Sequence, residues 1–200
     1  MKRLALPAVI LATGLLLSAC SSGSSSLTQS YNDGEAGGGY VSGDGSIVTI
    51  AESDRDEPIS FGGELDTGGT IGPEDLADKV VLVNFWYANC PPCRKEAPDL
   101  EALNQQYSGD DDVVMLGVNV EDSAARAQSF AEEYGVTYPS ILDRTDNEVQ
   151  LAFSGNVPPN AVPTTLILDR EGRIAARFSG IITDPNLVST IIDDTLAEGS

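Results

Sequence analysis

Two cysteines stand three positions apart in Cys90-Pro91-Pro92-Cys93. Their chemistry depends on what holds them. Residues spaced by three share one face of a helical turn, so both sulfurs can meet there. If that turn is the first of a helix, unpaired amides and the positive dipole end favour a thiolate on the leading cysteine. A thiolate beside a second thiol can exchange with disulfides. A static cross-link or half of a zinc site would have the same spacing. The 200-residue chain has three cysteines and no histidine, too few ligands for the zinc reading. A static bridge over so short a loop would remove little chain entropy. Pro91 and Pro92 lack amide donors, but at positions where a helix leaves those donors unpaired.

The elements around the pair fit this requirement. Val80-Val81-Leu82-Val83-Asn84-Phe85-Trp86 is a continuous apolar run, as in a strand buried on both faces. Residues 91–107 carry a helical stripe through Cys93, Glu96, Leu100, Leu103 and Tyr107, with Pro98 predicted to kink it. Val113 to Val120 reads as a second buried strand. Residues 123–134 read as a helix with Ser123 as its N-cap. Thr164 to Leu168 and Arg173 to Phe178 flank the turn Asp169-Arg170-Glu171-Gly172, which predicts an antiparallel pair. Asp184 caps a last helix with Pro185 at its first position. This order predicts an α/β domain, a central mixed β-sheet with helices on both faces.

The N-terminus reads as an address. Met1-Lys2-Arg3 is basic, and Leu4 to Ala19 is an apolar run shorter than a bilayer span. It ends in Leu17-Ser18-Ala19-Cys20, which resembles a bacterial lipobox, so residues 1–19 are expected to be a signal peptide and Cys20 the lipidated mature N-terminus. Residues 20–46 have the Gly/Ser-rich composition of a flexible tether, and the folded domain is expected over 47–200. The formal charge of −20, from 11 basic and 31 acidic residues, argues against nucleic acid as a partner. The absence of histidine excludes Ser-His-Asp and Cys-His nucleophile pairs. The chain is expected to need no cofactor and no metal; Asp143 to Glu148 lacks the glycine of a calcium loop.

Val81 to Pro98, with Asn-Phe-Trp, then CxxC, then Glu-x-Pro, resembles the thioredoxin superfamily, most closely its TlpA/ResA-like branch. Ala161-Val162-Pro163-Thr164-Thr165 resembles the family's cis-proline loop. The resemblance runs from about Pro58 to the C-terminus. It implies a thioredoxin-like fold and a redox disulfide between Cys90 and Cys93. It further implies an exported, membrane-tethered oxidoreductase tied to cytochrome c maturation, with apocytochrome c as protein substrate and a membrane thiol carrier as electron donor. Two departures stand out. Asn84 occupies the place of the buried Asp of thioredoxins proper, and Asn89 the place where many members have Trp.

Individual residues follow. Cys90 is expected to be the exposed nucleophile and Cys93 the buried resolver. Glu96, on or beside the buried stripe, is the candidate proton relay; the alternative is an acid answering the helix dipole. The resemblance gives the matching position the relay role. Val162 and cis-Pro163 are the candidate substrate-pairing edge, with Pro91, Pro92 and Trp86 as further substrate-binding candidates. Trp86 also reads as core, and Asn84 as a buried strand residue with a structural hydrogen bond. The chain is expected to be monomeric and to act on the outer face of the cytoplasmic membrane. Two other classes remain open. A redoxin-type peroxidase would want Thr three residues before the cysteine, where Tyr87 stands. A non-catalytic binding lipoprotein would have no use for an intact CxxC.

Overall fold

The computed structural model describes residues 47–158 and 161–198. The leader, the tether and Cys20 lie outside the described residues. Six strands form one sheet: β1 (Ile47–Thr49), β4 (Val80–Trp86), β5 (Val113–Asn119), β6 (Ser140–Leu142), β7 (Thr164–Leu168) and β8 (Ile174–Ser179). Their order is β1-β8-β7-β4-β5-β6. β4, β5 and β6 are parallel, whereas β7 lies antiparallel to β4, and β8 antiparallel to both β7 and β1. The sheet is therefore mixed, as the hairpin at Asp169–Gly172 requires. Gly172 has φ 82°, the left-handed geometry that this tight turn needs.

Among the described residues five α-helices accompany the sheet: α1 (Pro73–Leu76), α2 (Pro91–Tyr107), α3 (Ala124–Tyr134), α4 (Glu148–Ala152) and α5 (Pro185–Ala197). The alternation of β4 divides the core between the two faces of the sheet. Val81, Val83 and Phe85 join Phe130 of α3 and Val149 of α4 on one face. Val80 and Leu82 join Leu100, Leu103 and Tyr107 of α2 and Val188 and Ile192 of α5 on the other. Asn84 shares the parity of Val80 and Leu82, which directs it to the α2 side.

The helices predicted over 91–107 and 123–134 are present as α2 and α3, and Pro98 lies inside α2 without ending it. Ser123 is the N-cap of α3 by position, but its side chain makes no capping bond. Asp184 does cap α5, accepting from the Asn186 amide at 3.1 Å. Three features were not anticipated. A small hairpin, β2 (Gly63–Glu64) with β3 (Thr70–Ile71), joins the edge of β6 through a Leu65–Ile141 bridge. β6 itself and α4 are the others. The buried Asp143 carboxylate accepts from the Val149 and Gln150 amides at 2.9 and 2.8 Å and so starts α4. This is a structural task for the segment that faintly resembles a calcium loop.

Candidate active site

β4 ends at Trp86, and the chain turns through Tyr87, Ala88 and Asn89 into α2, with Cys90 as its N-cap. Cys90 and Cys93 form a disulfide. The Cys90 sulfur accepts the Cys93 amide at 3.2 Å, one of the donors that a helix start leaves unpaired. The helix end thus presents a positive partner to the leading sulfur, as the spacing predicted.

The expected exposure of Cys90 is corrected. In the disulfide state Cys90 is 0% exposed and Cys93 3%. The turn before α2 is drawn inward from both sides. The Ala88 amide donates to Asp122 Oδ2 at 2.6 Å, and Arg94 Nε donates to the Ala88 carbonyl at 2.8 Å. Cys90 consequently packs into the apolar cluster with Trp86, Ala88 and Val162. Between the two cysteines, Pro91 is exposed and Pro92 half-buried.

Trp86 is core. It is 5% exposed, its ring centroid lies 4.4 Å from that of Phe130, and Nε1 donates to Ser140 Oγ at 3.1 Å. This packing fits the core reading of Trp86 rather than the substrate-binding one.

Glu96 sits one turn after Cys93 and is 1% exposed. Asn84 Nδ2 donates to Glu96 Oε1 at 2.9 Å and to Thr165 Oγ1 at 3.0 Å. The Ile182 amide donates to Glu96 Oε2 at 3.2 Å. Burial pushes the Glu96 carboxyl up to about 7, although the donors from Ile182 and Asn84 pull the other way. A carboxyl that titrates near neutrality, one helical turn from a redox sulfur, is suited to proton exchange. Asn84 was predicted to have a structural hydrogen bond. Its role in holding Glu96 was missed, because that pairing depends on how α2 lies across β4.

The Val162–Pro163 peptide bond is cis. The Pro163 carbonyl accepts from the Gly180 amide at 2.9 Å, whereas no hydrogen bond joins the Val162 backbone to another described residue. Val162 belongs to the same apolar cluster as both cysteines. Among the described residues no cluster of side chains could hold a metal ion.

The Redoxin family profile matches residues 62–191, which include the disulfide, Glu96 and the cis-proline loop. The chain belongs to the Redoxin family. The thiol:disulfide interchange protein HelX of Rhodobacter capsulatus is 32% identical over 168 residues, 82% of this chain and 90% of that protein. The thiol-disulfide oxidoreductase ResA of Geobacillus kaustophilus is 34% identical over 113 residues, 56% of this chain and 62% of that protein. A solved structure of a secreted thiol-disulfide isomerase from Corynebacterium glutamicum superposes with a TM-score of 0.66 at 32% identity, covering 75% of this chain and 94% of that one. This member of the Redoxin family has a thioredoxin-like fold and is a thiol–disulfide oxidoreductase of the TlpA/ResA type. Of the predicted site residues, Cys90, Cys93, Glu96, Val162 and Pro163 are all buried, and Cys90, Cys93 and Val162 share one apolar cluster, whereas Pro91 is exposed and Pro92 half-buried.

Proposed function

We propose that this Redoxin-family protein reduces protein disulfides outside the cytoplasmic membrane, held there by lipid on Cys20, with apocytochrome c as substrate. The observation that carries the reductase reading is the helix-start environment of Cys90 combined with the buried carboxyl of Glu96. The Cys90 thiolate attacks one sulfur of a substrate disulfide, forming a mixed disulfide and releasing the other sulfur as thiolate. Cys93 then gives its proton to the Glu96 carboxylate and attacks the Cys90 sulfur. The mixed disulfide breaks, the substrate's second sulfur leaves and takes up the proton, and the substrate has gained the two electrons that the protein dithiol has lost. A membrane dithiol carrier returns them. Haem attachment needs free thiols in an oxidising compartment, which gives a reductase a reason to be there.

Val162 supports the substrate side of this reading. Its backbone groups can pair with an extended chain beside the disulfide, as in strand addition. The lipid anchor rests on the lipobox at Leu17–Cys20, and two acyl chains suffice for stable anchoring.

The test is trapping. Cys93→Ser, reduced and offered a protein disulfide, is expected to accumulate mixed disulfide on Cys90, while Cys90→Ser accumulates little. Wild-type dithiol protein is expected to reduce insulin stoichiometrically. Accumulation on Cys93 instead would reverse the assignment, and no insulin reduction by the wild type would end the reductase reading. For the anchor, Cys20→Ala is expected to move the protein from the detergent phase to the aqueous phase.

A further inference from the structure

Asn89, immediately before the nucleophile, is held by two arginines. Arg126 Nη2 donates to Asn89 Oδ1 at 2.7 Å, and Arg94 Nη2 donates to the same oxygen at 3.2 Å. Arg94 Nε also holds the Ala88 carbonyl, and Arg126 Nε is paired with Asp122 Oδ1 at 2.8 Å. Asp122 in turn accepts from the Ala88 amide and from Asn119 Nδ2 at 3.0 Å. Both backbone groups of Ala88 and the side chain of Asn89 are therefore tied to α2, to the end of β5 and to the start of α3. The two arginines differ in charge balance. Asp122 neutralises Arg126, whereas both described partners of Arg94 are neutral oxygens.

We propose that Arg94 is a positioning residue for the exchange reaction, which fixes the peptide ahead of Cys90 and stabilises the Cys90 thiolate through its uncompensated charge, with Asn89 and Arg126 holding its guanidinium in place. This deepens the oxidoreductase reading and rests on it. Arg94 lies four residues after Cys90, the spacing that brings side chains together on a helix, and its guanidinium bends back to the two residues preceding that cysteine. A cation held on the turn that leads into Cys90 favours the thiolate over the thiol, in addition to the Cys93 amide. Other charged groups on the elements around Cys90 are Lys95, Glu96, Asp99 and Glu101 on α2, and Glu121, Asp122 and Arg126 between the end of β5 and the start of α3. Asp122 is already paired with Arg126, and the burial of Glu96 delays its ionisation, which would oppose Arg94, to about pH 7. Stabilising the thiolate stabilises the reduced form, which raises the reduction potential.

The test measures the Cys90 thiol directly. Chemically reduced full-length protein is alkylated with iodoacetamide across pH, and labelling of Cys90 and Cys93 is separated by mass spectrometry. The wild-type Cys90 is expected to titrate below the ordinary cysteine value of about 8.5. Arg94→Gln is expected to lower its thiolate fraction at pH 7 about tenfold. Equilibration with glutathione, in which the protein disulfide and two glutathione molecules give protein dithiol and glutathione disulfide, is expected to shift about tenfold toward the protein disulfide, or ~30 mV. Arg94→Lys keeps the charge and is expected to recover most of both changes, and Lys95→Gln to leave them nearly unmoved. Arg94→Met repeats the charge deletion should the glutamine variant not fold. Equal titration of wild type and Arg94→Gln would overturn the proposal, as would Arg94→Lys shifting as far as Arg94→Gln. Alkylation needs no exchange activity. A wild type that does not equilibrate with glutathione would thus count against the oxidoreductase reading alone.

Discussion

At the scale of single residues, Glu96 has the most consequential environment, because two donors serve its two carboxylate oxygens in a space without water-like polarity. Asn84 and Ile182 stabilise the charged form, and burial disfavours it more. The folded value of about 7 lies above the unfolded glutamate value of about 4.3. The unfolded chain therefore loses this proton first as pH rises. Stability linked to Glu96 is full below about pH 4, declines through the window up to about pH 7, and is level above it. The span corresponds to about 4 kcal/mol as an order of magnitude. Glu96→Gln is expected to abolish that decline in urea-unfolding measurements between pH 4 and 8. It should also shift the pH dependence of thiol alkylation at Cys93. The amide matches the protonated acid in offering one carbonyl acceptor and a donor group, so stability at low pH is expected to change little. A helix-dipole role alone would give the opposite sign, with stability lost as pH falls. Thiol titrations that superpose for the two proteins would remove Glu96 from the proton path.

At the scale of elements, local pattern sufficed where it was long and self-consistent. β4 is apolar at nearly every position, α2 carries its stripe for seventeen residues, and the 164–178 hairpin is marked by a polar turn that opens on Asp169 and closes on Gly172. β2, β3 and β6, of two or three residues each, have too few positions to show a period. They exist through distant bonds. The Asp66 amide donates to the Ser140 carbonyl, and the Ser140 amide donates to Asp66 Oδ1, both at 2.9 Å. The same holds within the site. Cys90, Cys93, Glu96 and Pro163 could be chosen from residue types and motif, whereas the Asn84–Glu96 bond and the Arg94–Asn89–Arg126 clasp depend on tertiary placement. Gly117 shows how tightly such placement is set. It pairs with Asn84 on one side and Ser140 on the other. A Cβ there would lie 2.1 Å from Ser140 Oγ and 2.8 Å from Trp86 Nε1, the two atoms that share a hydrogen bond. Gly117→Ala is expected to break that bond and cost about 1–3 kcal/mol of stability. The chain's single tryptophan reports it directly, through a change in native fluorescence. Adding Ser140→Gly should recover part of the loss, and an unchanged urea midpoint for Gly117→Ala would mean the strand can move aside.

At the scale of the whole molecule, the end of the sheet remote from the disulfide is closed by charge. The Arg55 side chain is 3% exposed and reaches Asp169 Oδ2 at 2.8 Å, while its two terminal nitrogens each meet a Glu198 oxygen at 2.6 Å. Its Nε donates to the Ile50 carbonyl at 3.2 Å, and Arg173 Nε shares Asp169 Oδ2 at 2.8 Å. One guanidinium thus joins the segment after β1, the β7–β8 turn and the residue after α5, three parts of the chain far apart in sequence. Buried pairs of this kind are weak evidence of net stabilisation, but removing one partner strands the others. Arg55→Ala is expected to cost about 3 kcal/mol, chiefly by leaving the buried Asp169 with Arg173 alone. The pH dependence separates this from a packing loss. Burial alone would raise the Asp169 pKa, but hydrogen bonds and charge from Arg55 and Arg173 outweigh it and hold the carboxyl below its ordinary value. A depressed carboxyl contributes stability that is present above the unfolded value of about 3.9 and lost as pH falls below it. In urea titrations the wild type should therefore weaken steeply below about pH 4. Arg55→Ala should start lower and weaken less over that range, whereas Arg55→Met, which fills the space without the charge, should show the same flattened acid limb. An acid limb in Arg55→Ala as steep as in the wild type would show that Arg173 alone holds Asp169 ionised.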